Sequence, residues 1–151
     1  MIALEIRDAV LEDMGVLSDV FRRSSLSNRG DRKNILANPD VLELSDLAVR
    51  EGRTRVAVSG GHIVGFATTV VGESAVELED LFVDPAWMRR GIGSALVVDV
   101  VATAEARGRC SAEVTANYHA YAFYASAGFV DRGTTETRFG PAARMHLHIA
   151  F

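Results

Sequence analysis

One cysteine in 151 residues, Cys110, leaves no internal disulfide to form, so nothing in the chain asks for an oxidising compartment. No apolar run approaches the ~20 residues of a membrane span. The opening MIALEIRDAVLED carries acids where a secretory signal needs a basic start and an apolar block, so the expectation is a cytoplasmic protein with no membrane partner. An excess of basic charge is missing too. Lys and Arg number 16 against 20 Asp and Glu, a formal net charge of −4, which argues against non-specific binding of nucleic acid. There is no internal repeat, no low-complexity tract and no linker long enough to divide the chain. What is present is 48% hydrophobic and 24% charged, the composition of a globular protein. The length suits one domain over residues 1–151, large enough to bury roughly 70% of the surface its unfolded form exposes.

Periodicity sorts the chain into elements. IALEIRDA alternates apolar and polar residues, the mark of a strand. LEDMGVLSDVFRRSSL then spaces Leu11, Met14, Leu17 (or Ser18) and Phe21 at helical intervals, with Asp8 upstream as a capping candidate. Gly30 and Pro39 divide NRGDRKNILANPDVLELSDLAV into two short helices. TRVAVSGGHIVGFATTVVG reads as two strands about a Gly60-Gly61 hairpin, and SAVELEDLFVD as a third strand that Pro85 ends. From Gly91 to the closing Gly108, the residues Ile92, Leu96, Val100 and Thr103 recur at helical spacing. CSAEVT is a short strand, and NYHAYAFYASAG a helix capped by Asn117 and ended by Gly128. FVDRGTTETRF, a Gly-Pro turn and AARMHLHIAF complete a final hairpin. This order predicts an α/β chain with a mixed, mainly antiparallel twisted sheet and helices on both faces.

The stretch MRRGIGSAL stands out within that order. A strand that leads through it into a helix gathers unpaired N–H groups and the positive end of the helix dipole. Gly91 and Gly93 allow positive φ and carry no Cβ, so an anion can approach the backbone, and Arg89 and Arg90 add two full charges. These features describe a phosphate cradle, or equally a glycine-eased helix start beside two solvated arginines. A P-loop would need Gly-Lys-Ser/Thr at the helix start, and a dinucleotide fingerprint would need a third glycine where Leu96 stands. Further on, NYHAYAFYASAGF places Asn117, Tyr121 and Tyr124 on one helix face, with Ala120 and Phe123 on the packing side.

Taken together, LEDLFVDP, MRRGIGSAL and N-x-x-A-x-x-F-Y-x-x-x-G-F resemble the GNAT superfamily of acetyl-CoA-dependent N-acetyltransferases. The element order agrees over essentially the whole chain, and the specific motifs fall within Glu77–Phe129. In that family the loop reads R/Q-x-x-G-x-G/A; Gly91 and Gly93 match, whereas Met88 occupies the Arg/Gln position. The resemblance implies splayed central strands that hold coenzyme A. It places the pyrophosphate on the backbone of Met88, Arg89, Arg90, Gly91, Ile92, Gly93 and Ser94, with Asn117 also at the cofactor. Leu81, Phe82 and Val83 would pair their backbone with the pantetheine arm, one N–H facing the thioester oxygen. Tyr124 matches the tyrosine that protonates the departing sulfur in many relatives; without the resemblance it reads as a packed aromatic.

Acetyl transfer to an amine also needs a base. Glu77 and Glu79 alternate onto one strand face with Leu81, Asp80 points the other way, and Glu113 is a third candidate. Glu79 is the first choice, against the plainer reading of a solvated strand face. FRRSSLSNRGDRKN is a solvated helix face residue by residue, but in GNAT-like folds this region lines the acceptor cleft, where Ser24, Ser27 and Asn28 would suit a polar substrate. Cys110 is expected to be a small buried hydrophobe, and His62 and His119 surface residues. His146 and His148 share a strand face with no third ligand nearby, so no metal is expected. The expected function is transfer of acetyl from acetyl-CoA to a primary amine, of a small molecule before a peptide. The runner-up is a non-catalytic acyl-CoA-binding sensor or scaffold, and the third reading another nucleotide-binding α/β domain. The sequence leaves the oligomeric state open; a homodimer is common in such folds, a warrant by analogy alone.

Overall fold

Gly60 and Gly61 join β2 (Thr54–Ser59) to β3 (His62–Val71) in a tight hairpin, with Ser59 opposite His62 and a bulge after Ala57, as the Gly-Gly pair predicts. A computed structural model describes residues 3–27, 36–37 and 43–149. The remaining elements are β1 (Glu5–Asp8), a 3-10 turn (Leu11–Asp13), α1 (Met14–Ser27), α2 (Leu47–Arg50), β4 (Ala75–Val83), a 3-10 turn (Pro85–Trp87), α3 (Ile92–Ala106), β5 (Ser111–Ala116), α4 (Tyr121–Ser126), β6 (Val130–Thr137) and β7 (Gly140–His148). Seven strands form one sheet in the order β1-β2-β3-β4-β5-β7-β6. β4 and β5 pair in parallel, whereas β1–β2, β2–β3, β5–β7 and β6–β7 are antiparallel. Of the two short helices expected between Asn28 and Val49, α2 is one and Leu36-Ala37 is helical; the rest of that stretch lies outside the described residues.

Backbone contacts group the chain into two compact units, Met1–Thr68 with Asp80–Leu96, and Thr69–Glu79 with Val97–Phe151. In the first, Leu17 and Val20 of α1 are fully buried and cluster with Ala9, Val49, Val56 and Phe66. Leu11 is 44% exposed and lies in the 3-10 turn before α1; within the helix the inward stripe keeps Met14, Leu17 and Phe21 as spaced and adds Val20. The helix start is also held differently. Asp13 Oδ2 accepts the Val10 N–H at 2.9 Å, while Asp8, the expected cap, takes Arg55 Nη1 at 3.1 Å.

Gly65 shows why β3 needs a residue without a side chain. A Cβ there would lie 2.9 Å from the Phe82 carbonyl oxygen and 3.1 Å from the Ile92 side chain. Its neighbour Phe66 points into the α1 cluster. Since adjacent strand residues face opposite ways, α1 and the first turn of α3 cover opposite faces of the sheet.

Arg7 grips Asp13 with both terminal guanidinium nitrogens, at 2.9 and 3.2 Å. This hydrogen-bonded partner holds the Asp13 carboxyl below its ordinary range, against the opposing effect of burial. A depressed carboxyl contributes stability that is present above its unfolded pKa and lost as pH falls through the folded one. Thermal melts of the wild type and Asp13→Asn are therefore expected to differ most near neutral pH and to converge below about pH 4, near the ordinary Asp value. A gap that stays constant with pH would show that the charge of Asp13 is not what stabilises.

In the second unit, α3 buries Val97, Val100 and Ala104, and β5 buries Ala112, Val114 and Ala116. Arg109 N–H bonds the Ala104 carbonyl and Gly108 N–H the Glu105 carbonyl, the paired closure that ends α3 at its predicted glycine. Three expectations are corrected here. The helix expected from Asn117 begins only at Tyr121, because Asn117 Oδ1 accepts the Ala120 N–H and closes a turn before it. The β6–β7 connection is Arg138-Phe139, and the Gly-Pro pair lies inside β7 with Pro141 opposite Glu136. Cys110 is exposed, its Sγ donating to the Ser74 carbonyl at 3.2 Å.

Candidate functional site

In the first unit, β4 ends where the glycine loop begins. Leu81, Phe82 and Val83 are half-buried, and the Phe82 ring packs into the core against Phe21 and Phe66. The β4–β5 register runs from Ala75 opposite Ser111 to Leu78 opposite Val114, whereas β4 itself continues to Val83. Asp84 Oδ1 then accepts the Ala86 N–H at 3.0 Å and starts the 3-10 turn, with Pro85 preset for its first position. Met88 is exposed and extended.

Two residues of the loop lie in the left-handed region, Arg89 at φ 63° and Gly91 at φ 82°. A Cβ on Gly91 would meet nothing within 4 Å, so conformation and not space reserves that position for glycine. Gly93 is already the second residue of α3, contrary to the expectation that both glycines supply positive φ. A left-handed arginine is a strained choice, of the kind that clusters at ligand sites. Ala95 N–H is the first to bond back within α3, to the Gly91 carbonyl at 3.0 Å. Helix geometry thus leaves the N–H groups of Ile92, Gly93 and Ser94 without a partner in the preceding turn, at the positive end of a 15-residue helix. Arg89 and Arg90 are exposed beside it, with the Arg90 guanidinium 4.9 Å over the Trp87 ring. A backbone arrangement of this kind can receive an anion. A groove of about 530 Å³ in the same unit is lined by Arg23, His62, Asp84 and Trp87 among others.

The second unit holds the carboxylates and the tyrosine. Glu77 and Glu113 are direct partners on parallel strands, a pairing of like charges that needs a cation. Arg144 of β7 supplies it. Its Nη1 donates to Glu77 Oε1 at 2.5 Å and Thr115 Oγ1 at 2.7 Å, and its Nη2 to Glu113 Oε2 at 3.2 Å. The sequence reading missed this arginine, since only strand register sets it beside two acids. Glu79 is exposed and Glu77 half-buried, so the two acids that alternation puts on one face have different surroundings. Glu77 and Glu113 also line a cleft of about 330 Å³.

Tyr124 is only 6% exposed, its ring set edge-on to Phe123 and Phe129. Tyr121 is exposed, so these two tyrosines do not share an outward face, and Asn117 lies outside the helix. Tyr121 donates to Asp131 Oδ2 at 3.0 Å, and that bond raises the phenol pKa above its ordinary value. Tyr118, 80% exposed, stacks near His119 and shares with Tyr121 a cleft of about 340 Å³. His146 Nε2 accepts from Arg132 at 2.8 Å. Among the described residues no group of three His, Cys, Asp or Glu is placed to hold a metal ion, and no helix is long and apolar enough to cross a membrane. Of the proposed acceptor residues, Ser27 Oγ donates to the Ser24 carbonyl at 2.7 Å, and Asn28 lies outside the described residues.

A family model described as an acetyltransferase (GNAT) domain matches residues 50–131, more than half of the chain. The chain belongs to the GNAT acetyltransferase family. Solved GNAT structures share its fold across nearly the full length. PaiA N-acetyltransferase from Thermoplasma acidophilum, in complex with coenzyme A, superposes with a TM-score of 0.78 at 17% identity over 97% of this chain and 99% of that one. A GCN5-related N-acetyltransferase from Rhodopseudomonas palustris gives 0.79 at 23% identity over 99% and 98%. Ard1 from Thermoplasma volcanium gives 0.77 at 20% identity over 99% and 100%. No curated protein matches this chain. The GNAT match takes in the loop, the carboxylates of β4 and Tyr124, while α1, with Ser24 and Ser27, lies before it.

Proposed function

We propose that this protein transfers an acetyl group from acetyl-CoA to a primary amine of a small molecule. The observation that carries the reading is the loop Met88–Ser94, where left-handed Arg89 and Gly91 turn a strand end into the amino end of α3. Its residues fit a diphosphate: three N–H groups at a helix start, two arginines, and no side chain at Gly91 or Gly93. Met88 in place of Arg or Gln removes one side-chain contact and leaves the amides. Bound acetyl-CoA supplies an activated acetyl thioester. The main chain of Leu81–Val83 orients the extended arm that bears it, and Asn117 contributes a further contact. Glu79 takes up, through water, the proton that the amine loses as its nitrogen bonds to the acetyl carbon. Tyr124 delivers a proton to the sulfur as the carbon–sulfur bond breaks. Glu77, committed to Arg144, is the lesser base.

An alkylammonium with a pKa near ~10.4 leaves about one molecule in a thousand nucleophilic at neutral pH, so loss of the base is expected to show there. The test is mass spectrometry of products from acetyl-CoA and a panel of amines, run with wild type, Glu79→Gln, Glu77→Gln and Glu113→Gln. An acetylated amine is expected, slowed most by Glu79→Gln at pH 7 and partly recovered as pH rises. Binding of acetyl-CoA without any product would instead identify a sensor or scaffold. A wild-type pH profile in Glu79→Gln, beside a crippled Glu77→Gln or Glu113→Gln, would move the base to that residue.

A further inference from the structure

Two contacts tie α1 to the strand end that feeds the anion loop, and they run in step. Phe21 meets Phe82 edge-on with 4.9 Å between ring centroids. Two residues further along both elements, Arg23 Nη2 donates to Asp84 Oδ2 at 2.6 Å. The helix carrying Phe21 and Arg23 is anchored by Leu17 and Val20, both fully buried, so the guanidinium is presented from a fixed element.

Asp84 is the pivot between strand and loop. Its N–H donates to the Val64 carbonyl, its Oδ1 accepts the Ala86 N–H, and its carbonyl accepts the Trp87 N–H. The Asp84 side chain is 13% exposed against 52% for Arg23, so a mostly solvated cation serves a mostly covered carboxylate. Downstream come the Trp87–Arg90 stack and the two left-handed residues that set the amino end of α3. The loop therefore leaves the sheet from a residue clamped by another element.

We propose that Arg23 is a positioning residue: by fixing Asp84 it presets the anion loop and so sets affinity for the diphosphate of the acyl donor, not the rate of transfer. This rests on the acetyl-CoA reading above. A partly exposed ion pair adds little to global stability, whereas a loop held in its bound form spares the cost of ordering it on binding.

The test compares wild type, Arg23→Met, Arg23→Lys and Asp84→Asn, using steady-state kinetics, CoA calorimetry and thermal melts. Two donors are used: acetyl-CoA, and acetyl-pantetheine, which lacks the diphosphate. Arg23→Met is expected to raise KM for acetyl-CoA and Kd for CoA about five- to tenfold. Its kcat at saturation and its kinetics with acetyl-pantetheine should match wild type. Arg23→Lys restores most of the affinity. Asp84→Asn keeps the acceptor for Ala86 but loses the charge, so it shifts KM the same way and adds nothing when combined with Arg23→Met. Equal losses with both donors, or an unchanged KM in folded variants, overturns the proposal. Failure of the wild type itself to bind CoA would overturn the acetyltransferase reading on which it rests.

Discussion

Gly93→Val is expected to weaken acetyl-CoA binding by about ten- to a hundredfold, the scale of losing one or two hydrogen bonds to a charged group. Gly93 is helical, so a valine there meets no forbidden φ and the fold should survive. What changes is access: a branched side chain then stands among the amides of Ile92, Gly93 and Ser94 at the helix start. Gly91 would be a poorer site for this test, because its φ of 82° makes any side chain distort the loop as well as fill it. Calorimetry with CoA, beside a thermal melt, separates binding from stability. An unchanged Kd in a folded Gly93→Val protein would take the cradle out of the functional proposal.

Tyr124→Phe is expected to cut turnover by about ten- to a thousandfold while leaving acetyl-CoA affinity near wild type, the pattern of a lost general acid. The burial of the ring makes this a sharp experiment. Phe123 and Phe129 contact the ring by its edges, and phenylalanine keeps that packing while removing one oxygen. A phenol with a reference pKa of ~10 protonates a thiolate of ~8.5 only when held against it, so the effect belongs to kcat. Wild-type turnover in the variant would make Tyr124 a packing aromatic and nothing more.

Much of the fold was legible because its signals are local. The Gly60-Gly61 turn, Pro85 after β4 and Gly108 after α3 each act through their own backbone, and all three punctuate the chain as read. The loop was legible for the same reason, since Gly91 and the helix start are neighbours in sequence. The errors came where long-range packing decides. Leu11 is left outside the inward stripe because the chain there forms a 3-10 turn before α1, and Asp8 leaves its cap to pair with Arg55 on β2. Tyr121 and Tyr124 parted because tertiary packing takes only one of them: Tyr124 is enclosed by Phe123 and Phe129, while Tyr121 bonds Asp131 at the surface. Arg144 and Arg23 were invisible for a related reason: each meets its acid only through tertiary structure, 67 and 61 positions away.

The parallel pairing of β4 with β5 has a kinetic side. Short turns let β2 find β3 and β6 find β7 almost as soon as the chain bends. Ala75, in contrast, reaches Ser111 only across the whole α3 crossover, and the register then rewards that closure with four residue pairs. Loop entropy must be met before such distant contacts repay it. Closure of this parallel seam is therefore the costly step of assembly, and until it closes Val76 and Leu78, buried in the finished sheet, stand on an open strand edge where a second unfolded chain can pair.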